Sequence, residues 1–313
     1  MFLPTTKKEK KKLKWDSLDI ILITGDTYID SPYIGAAIIG KVLYEAGYKV
    51  GIIAQPDINT DDVTRLGEPN LFFGITAGSV DSMVANYTAS LKKRRNDDYT
   101  PGGVNDKRPD RATLIYCNLV KKYFKSKKPI VLGGIEASLR RIAHYDYWTD
   151  KIRKSILFDS KADVLVYGMG EKTVLELADK LKTNQPIEDV RGICYISKEL
   201  KENHITLPSY DEVCNDKIKF IEMFKEFYKN NDPITAKGLQ QKHIDRYLIQ
   251  NPPQYFETTQ ELDSYHDMNF EYDVHPFYKK NGTVKALDTI KFSLTTHRGC
   301  YGECNFCAIT VHQ

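Results

Sequence analysis

The amino-acid sequence predicts an α/β protein with a doubly wound domain over residues 19–198. Three observations predict this class. Short runs of apolar, β-branched residues alternate with segments whose apolar residues repeat at helical spacing. The apolar runs lack polar alternation, which is typical of strands buried on both faces of a parallel sheet. Several of these runs also end in glycine, where such a sheet meets its ligand-side loops.

The elements follow one another in a regular order. The first strand is predicted over 19–24, and the turn Gly25-Asp26 follows it. A helix is predicted over 34–46, with Gly47 as its C-terminal stop. Further strands are predicted over 50–54, 71–76, 129–134, 163–167 and 192–197, and further helices over 82–91, 112–124 and 171–181.

The flanking regions differ from this domain in composition. Residues 1–18 form a basic N-terminal arm with six lysines and one glutamate before Trp15, and we expect a solvated, disordered tail. Residues 199–285 are more polar and rich in aromatic side chains, so they are interpreted as a connecting region with one helix over 217–228. Residues 286–313 are predicted to begin a second domain, with a strand over 291–295 and a cysteine cluster directly after it.

Composition narrows the class of protein. With 41% hydrophobic and 28% charged residues, the chain can bury a core and is not of a disordered type. No apolar run reaches the roughly 18 residues of a membrane span, and no apolar segment follows the N-terminal lysines. We therefore expect a cytoplasmic protein without a membrane partner. The net charge of +3 does not support a nucleic-acid partner.

The six cysteines fall into two groups. Cys117, Cys194 and Cys214 are scattered among apolar neighbours, and we expect them to be small buried side chains. Cys300, Cys304 and Cys307 form a CxxxCxxC loop. Thiolates at these offsets suit an iron–sulfur cluster and leave one iron open to another ligand.

Two alternatives to a cluster remain for this loop. A structural zinc site would need a fourth ligand, for which His297 or His312 is nearest in the sequence. An inert set of thiols on one helix face has the same spacing, although Gly299 and Gly302 disfavour a continuous helix.

The loop resembles the CxxxCxφC signature of the radical S-adenosylmethionine (SAM) enzymes, with Phe306 at φ. The chain is also similar over nearly its whole length to the N-terminal half of the YgiQ-type radical SAM proteins. The stretches that carry this resemblance include Thr24-Gly25-Asp26, Tyr99-Thr100-Pro101-Gly102-Gly103, Arg108-Pro109-Asp110-Arg111, Gly133-Gly134-Ile135-Glu136-Ala137-Ser138-Leu139-Arg140-Arg141 and Gly168-Met169-Gly170-Glu171.

The resemblance implies a set of cofactors. Cys300, Cys304 and Cys307 would bind a [4Fe-4S] cluster, and SAM would chelate its fourth iron. Reductive cleavage of SAM would then give a 5′-deoxyadenosyl radical that acts on an unknown substrate. Phe306 would pack near the adenine of SAM, and the electron would come from a reducing donor such as flavodoxin or ferredoxin.

The resemblance also implies a fold. Residues 19–198 would form a Rossmann-like, cobalamin-binding-like domain, and residues 286–313 would begin a radical SAM (β/α) partial barrel. Base-off cobalamin is disfavoured because the loop over 25–30 lacks the histidine of an Asp-x-His-x-x-Gly motif. Only six residues follow Cys307, whereas a full barrel takes about 250 residues. We therefore expect the N-terminal portion of an enzyme, too short to be active alone.

Two other functions fit the same residues. One is a cobalamin-assisted or methylthio-transferring radical SAM enzyme. The other is a non-catalytic Rossmann-like binding module whose cysteine loop merely holds a metal.

Two polar clusters follow predicted strands, where doubly wound sheets bind ligands. The first contains charged and aromatic residues after the strand over 129–134, namely Glu136, Arg140, Arg141, His144, Tyr145, Asp146 and Tyr147. A surface ion-pair network that includes a Glu136–Arg140 helical pair explains it equally well. The second is Gly168-Met169-Gly170-Glu171, for which the alternative is a tight turn and a helix start.

Overall fold

The structure is a computed structural model that describes residues 1–125, 128–295, 298–300, 302, 304 and 307–312, with the backbone alone for Thr310. The helices are α1 (Lys7–Lys12), α2 (Gly35–Glu45), α3 (Ser82–Asn86), α4 (Ala112–Tyr123), α5 (Gly134–Ser138), α6 (Ile156–Ser160), α7 (Glu171–Lys182), α8 (Tyr210–Asn215), α9 (Lys217–Lys229), α10 (Thr259–His266), α11 (Pro276–Lys279), α12 (Ala286–Ile290) and α13 (Ile309–His312). The strands are β1 (Leu18–Thr24), β2 (Val50–Ala54), β3 (Pro69–Thr76), β4 (Ile130–Leu132), β5 (His144–Asp146), β6 (Lys151–Arg153), β7 (Val164–Val166), β8 (Ile193–Ser197), β9 (His204–Leu207), β10 (Gly238–His243) and β11 (Arg246–Gln250).

The chain folds as two compact units, each built from two segments. The first unit comprises Met1–Glu136 and Glu257–Thr296, and the second comprises Ala137–Phe256 and His297–Gln313. Residues 199–256 of the predicted connecting region thus belong to the second unit, and residues 257–285 belong to the first.

The first unit contains a parallel sheet in the order β2-β1-β3-β4. Its central strand, β1, is buried almost throughout, with Ile20, Ile21 and Ile23 at 0% exposure. Because both faces of the strand are buried, its side chains are apolar at consecutive positions in the sequence. The predicted α/β class with parallel strands is confirmed, and the strands predicted for the segment before residue 137 lie where the sequence indicates.

The predicted helices of this unit form, with one difference in length. Gly47 ends the turn after α2 at a φ of +89°, the conformation for which glycine was expected. α3 begins at the expected residue, where Asp81 accepts hydrogen bonds from the backbone N–H groups of Met83 and Val84. It ends at Asn86 rather than at residue 91, because Tyr87 adopts an extended backbone conformation and forms a β-bridge with Lys93.

The N-terminal arm is ordered, so the prediction of a disordered tail is wrong. Leu3 is fully buried, and its side chain lies against Gly40. The Pro4 carbonyl accepts a hydrogen bond from the Ile52 N–H, which extends the pairing at β2. Behind this anchor, Thr6 and Glu9 form a capping box that starts α1. The run of lysines predicted a free tail and gave no sign that Leu3 packs against α2 or that Pro4 pairs with β2.

The second unit contains the strands β7-β8-β11-β10-β9, which are mostly antiparallel. The strand predicted over 192–197 forms as β8 but runs antiparallel to β7. An apolar run predicts a buried strand and not its direction, so the expectation of a parallel strand at this place is wrong.

Three of these strands lie in the predicted connecting region. Leu239 and Leu248 are buried there, so residues 238–250 contribute to a core. β10 was missed because two of its buried side chains are glutamines. Gln241 is 0% exposed, and it donates to the Pro208 carbonyl at 2.9 Å and accepts from the Ala143 N–H at 2.9 Å. The Gln241 side chain is thus buried with hydrogen bonds at both its amide nitrogen and its amide oxygen.

The strand predicted over 291–295 is absent from the described residues. α12 ends at Ile290, and the next residues form a turn and irregular backbone. Phe292 and Leu294 are 85% and 90% exposed, and no described strand pairs with them. A β-strand requires a hydrogen-bonded neighbour, which apolar residues alone do not provide.

Two further expectations have an outcome in the fold. Cys117 and Cys194 are buried as predicted, whereas Cys214 is exposed on α8, which contradicts its prediction. Within the part of the chain that the structure describes, no helix is both long enough and apolar enough to span a membrane.

Candidate functional site

The cysteine loop lies in the second unit and turns around Gly302. Gly299 precedes it at a φ of +76°, a conformation that favours glycine. The Gly302 N–H donates to the Cys300 Sγ at 3.4 Å, and the Cys307 N–H donates to the Cys304 carbonyl at 2.9 Å. A Cβ built on Gly302 would lie 3.3 Å from the Cys300 Sγ and 3.7 Å from the Cys304 Sγ. Glycine therefore leaves room for two thiols beside the backbone.

The donor set of this loop fits an iron–sulfur cluster. Cys300, Cys304 and Cys307 are free thiols, and each is exposed or half-buried. Three accessible thiols on one short loop are the ligand type that such clusters prefer. Among the described residues, no group of three or more His, Cys, Asp or Glu side chains already converges on one point. Cluster binding by the three cysteines thus stays a prediction.

Of the other residues that the sequence analysis assigned to this loop, the structure describes only one. Phe306, assigned to SAM, and His297, one candidate for a fourth zinc ligand, lie outside the described residues. His312 is described, and its Nδ1 atom is buried without a hydrogen-bond partner. Burial and the nearby charge of Arg141 lower the pKa of His312 to about 4, so its imidazole is neutral at pH 7.

Residues of the second unit hold the cysteine segment on both sides. Before the cysteines, Arg298 forms an ion pair with Glu171, with 2.6 Å between its Nη1 and the Glu171 Oε1. After them, the Val311 carbonyl accepts a hydrogen bond from the Arg141 Nη1 at 3.2 Å. Gly168 lies close to the His312 carbonyl, since a Cβ built on Gly168 would be 3.6 Å from the His312 carbonyl oxygen. The two strand-end clusters of the sequence thus supply contacts to the loop.

Arg141 is the most buried residue of the first of these clusters. Its guanidinium donates to oxygens of Ser138, Gln250 and Asn231 at 2.7–3.1 Å, and these acceptors are neutral. Its Cζ atom lies 4.5 Å from the ring centroid of Tyr167, a cation–π contact. Burial lowers the pKa of Arg141. Sequence reasoning identified this residue but offered a surface ion-pair network as the alternative, and the burial contradicts that alternative for Arg141.

The remaining members of the cluster do not gather into one site. Tyr145 and Tyr147 are 50% and 54% exposed, whereas His144 is largely buried. Burial, with the charge of Arg140, lowers the pKa of His144 to about 4. Asp146 is buried and accepts a hydrogen bond from the Thr149 hydroxyl. The structure thus separates residues that are adjacent in the sequence.

Glu136 has a structural role in the first unit. It is 2% exposed, and its carboxylate accepts hydrogen bonds from the Ser82 N–H at 2.8 Å and the Thr113 N–H at 3.0 Å. These N–H groups belong to the first turns of α3 and α4, where a negative charge is stabilising. α5 ends at Ser138, so Arg140 lies beyond the helix on which the predicted pair would form.

The loop after β1 is closed by a buried ion network. Arg108 lies between two carboxylates, 2.8 Å from the Asp26 Oδ1 and 3.1 Å from the Asp97 Oδ2. All three side chains are at most 3% exposed. Although burial would lower the pKa of Arg108, Asp26 and Asp97 raise it. Sequence reasoning missed this network, because nothing in the residues next to Asp26 indicates an arginine partner from another loop.

The same loop does not fit base-off cobalamin. Residues 25–30 contain no histidine to coordinate the cobalt. The neighbouring loops are also in close contact, since a Cβ on Gly25 would lie 2.1 Å from the Ala77 carbonyl oxygen, and one on Gly78 would lie 2.2 Å from the Asp26 Oδ1. The ligand-side end of β1 is thus filled by the chain itself.

Comparison with known proteins gives consistent relatives over the whole chain. The sequence profile of the family described as Radical SAM N-terminal matches residues 2–293. A UPF0313 protein of Fusobacterium nucleatum is 61% identical over 314 residues, which cover 100% of this chain and 55% of that protein. UPF0313 proteins of Thermotoga maritima and Clostridium botulinum are 56% and 48% identical over 100% of this chain, which spans 56% and 49% of their lengths. The chain thus spans about half the length of the curated relatives it matches.

A solved structure with some likeness to this chain is that of the radical S-adenosylmethionine methyltransferase TsrM from Kitasatospora setae. The alignment covers 56% of this chain and 28% of that chain, with 15% sequence identity and a TM-score of 0.39. A likeness of this size supports no inference about the chain.

Proposed function

The chain belongs to the YgiQ-type, or UPF0313, family of radical SAM proteins, and from this membership we propose that it carries the cluster-binding loop of a radical SAM enzyme. Cys300, Cys304 and Cys307 would bind the [4Fe-4S] cluster, with SAM at the open iron and Phe306 near its adenine. The observation that carries this proposal is the loop itself, in which three free thiols follow one another around Gly302.

The residues of the chain would each have a defined part in this function. A bound cluster, once reduced, would supply the electron for cleavage of SAM. The three thiols bind the iron, and the Gly302 N–H, already directed at the Cys300 Sγ, stabilises negative charge on that sulfur. Arg141 and Glu171 hold the loop at its two ends. An electron donor such as flavodoxin or ferredoxin would reduce the cluster, in the cytoplasm, for action on a substrate that the chain does not identify.

The first unit would serve as a Rossmann-like module without a cofactor of its own. Its parallel order β2-β1-β3-β4 supports the Rossmann-like part of this proposal. The Asp26–Arg108–Asp97 network at the ligand-side end of β1 opposes cobalamin binding there. A radical SAM enzyme independent of cobalamin is therefore preferred to a cobalamin-assisted one.

Anaerobic reconstitution with iron and sulfide tests the proposal. Wild type should bind about four irons per chain, as a [4Fe-4S] cluster requires. Cys304→Ser should lose most of them. Cys214→Ser is a matched control, because Cys214 is also an exposed free thiol but lies on α8. The reduced EPR spectrum of wild type should change when SAM is added.

Three results would contradict the proposal. Stoichiometric zinc in place of iron would support the binding-module alternative. Equal iron content in Cys304→Ser and wild type would remove the loop as the ligand. A wild-type cluster whose spectrum is indifferent to SAM would contradict SAM binding by this chain.

A further inference from the structure

Glu171 is a buried carboxylate whose partner comes from the cysteine loop. It is the first residue of α7, after Tyr167-Gly168-Met169-Gly170 at the end of β7. The Glu171 side chain is 5% exposed and that of Arg298 is 16% exposed, with 2.6 Å between the charged atoms. Arg298 lies 127 residues further along the chain, in the same compact unit, and two residues before Cys300.

The burial of this pair distinguishes it from ordinary surface ion pairs. An exposed pair contributes little, because water screens both charges. At 5% exposure, Glu171 has little water around it, and a carboxylate left there without a cation would be unfavourable. The N-terminus of α7 stabilises the carboxylate further, since the helix dipole favours negative charge at that end. The buried Glu171 carboxylate thus requires a positively charged partner, which the cysteine loop provides as Arg298.

The ion pair is one of two attachments that flank the cysteines. Arg298 lies just before Cys300, and Val311 lies four residues after Cys307 with its carbonyl bound by Arg141. Both attachments use side chains that are almost fully buried in the second unit. The position of the thiols is therefore set by the body of the unit and not by the loop alone.

We propose that Glu171 is a positioning residue for the cluster loop, which it holds through Arg298 while neutralising the positive charge beside the thiols. This inference rests on the function proposed above. In this proposal the segment Gly168-Met169-Gly170-Glu171 contacts the cysteine loop and holds it in place. The sequence had indicated either a ligand site or a simple helix start for the same segment.

The proposal predicts opposite electrostatic effects for the two partners. Reduction adds an electron to a cluster, so an uncompensated cation nearby raises its reduction potential and an uncompensated anion lowers it. Glu171→Gln leaves Arg298 uncompensated, so the potential should rise. Arg298→Gln leaves Glu171 uncompensated, so the potential should fall. The double variant and Arg298→Lys should both stay near wild type, because the local net charge is kept.

A second readout requires no cluster. Trypsin cleaves after Arg298 only when that side chain leaves Glu171. In the full chain without iron, Glu171→Gln should be cleaved after Arg298 about tenfold faster than wild type, since opening limits cleavage of a folded segment. The control is Glu176→Gln, which removes an exposed carboxylate from the same helix and should change neither the cleavage rate nor the potential.

The outcomes separate this inference from the function on which it rests. Wild-type cleavage rates in Glu171→Gln, or shifts of potential in the same direction for the two single variants, would overturn the positioning role. If Glu171→Gln does not fold, the fall in potential of Arg298→Gln and its recovery in Arg298→Lys test the same pair from the loop side. Failure of wild type to bind iron would overturn the proposed function, while the trypsin comparison would still decide whether the pair holds the loop.

Discussion

Replacement of Arg108 by methionine should strongly destabilise the first unit. The arginine contacts two carboxylates that have little access to water, with Asp26 and Asp97 at 1% and 3% side-chain exposure. Methionine fills a similar volume but leaves both negative charges without their cation. Asp97 would keep hydrogen bonds from the Tyr99 N–H and the Thr100 hydroxyl, so its charge would be partly stabilised.

The size of the effect follows from this burial. Removal of one partner from a buried ion pair costs about 3–5 kcal/mol. The bond from the Arg108 Nη1 to the Ala77 carbonyl, 2.7 Å long, is lost as well, which places the expected cost in the upper part of this range. With a urea m-value of about 2 kcal/mol/M, the unfolding midpoint should fall by about 2 M.

Urea unfolding followed by circular dichroism measures this shift. Arg95→Met is the matched control, because Arg95 is exposed in the same segment of the chain and its loss should change the unfolding free energy by less than about 0.5 kcal/mol. Unfolding of Arg108→Met at the same urea concentration as Arg95→Met would show that the Asp26–Arg108–Asp97 network does not stabilise the first unit, and would refute this prediction.

Three further changes test other parts of the structure. Leu3→Ala should lower the free energy of unfolding by about 2–5 kcal/mol, because the side chain is fully buried. The control Val84→Ala, at a position that is 51% exposed, should lower it by less than about 0.5 kcal/mol. Equal effects of the two changes would contradict the packing of the N-terminal arm. Gly78→Ala should destabilise more than Gly47→Ala, because both have positive φ but only Gly78 has an atom closer than 3 Å to an added Cβ. Burial, with the charge of Lys154, lowers the pKa of His243 to about 3, so the unfolded chain binds a proton near pH 6.5 that the folded chain does not. Stability should therefore be full above pH 6.5 and fall as the pH decreases toward 3, and His243→Gln should flatten this dependence in unfolding curves measured from pH 7 to pH 4.

The residues that the sequence predicted well are those whose signal is local. β1 is buried on both faces, and its apolar residues are contiguous in the sequence for that reason. Gly47 was predicted as a helix stop because only a residue tolerant of positive φ fits there. The cysteine loop is also local, since its thiols come from eight consecutive residues.

The expectations that were wrong each depended on a distant partner. The lysines of α1 indicated a free tail, but Leu3 and Pro4 bind next to β2. β10 contains two glutamines and was predicted to be part of a connecting region, because the Ala143 N–H and the Pro208 carbonyl that bind the buried Gln241 are distant in the sequence. Phe292 and Leu294 indicated a strand, although a strand forms only where a neighbour can pair with it.

The sequence by itself determined the α/β class, the places of the four parallel strands of the first unit and of α2 and α4, and the loop that carries the three thiols. Tertiary structure alone decided that β8 runs antiparallel to β7, that Arg108 joins Asp26 to Asp97, and that Glu171 receives Arg298. The physical reason is that periodicity, glycine conformation and ligand spacing act over a few residues, whereas a buried charge is stable only where the fold brings its counterion to it.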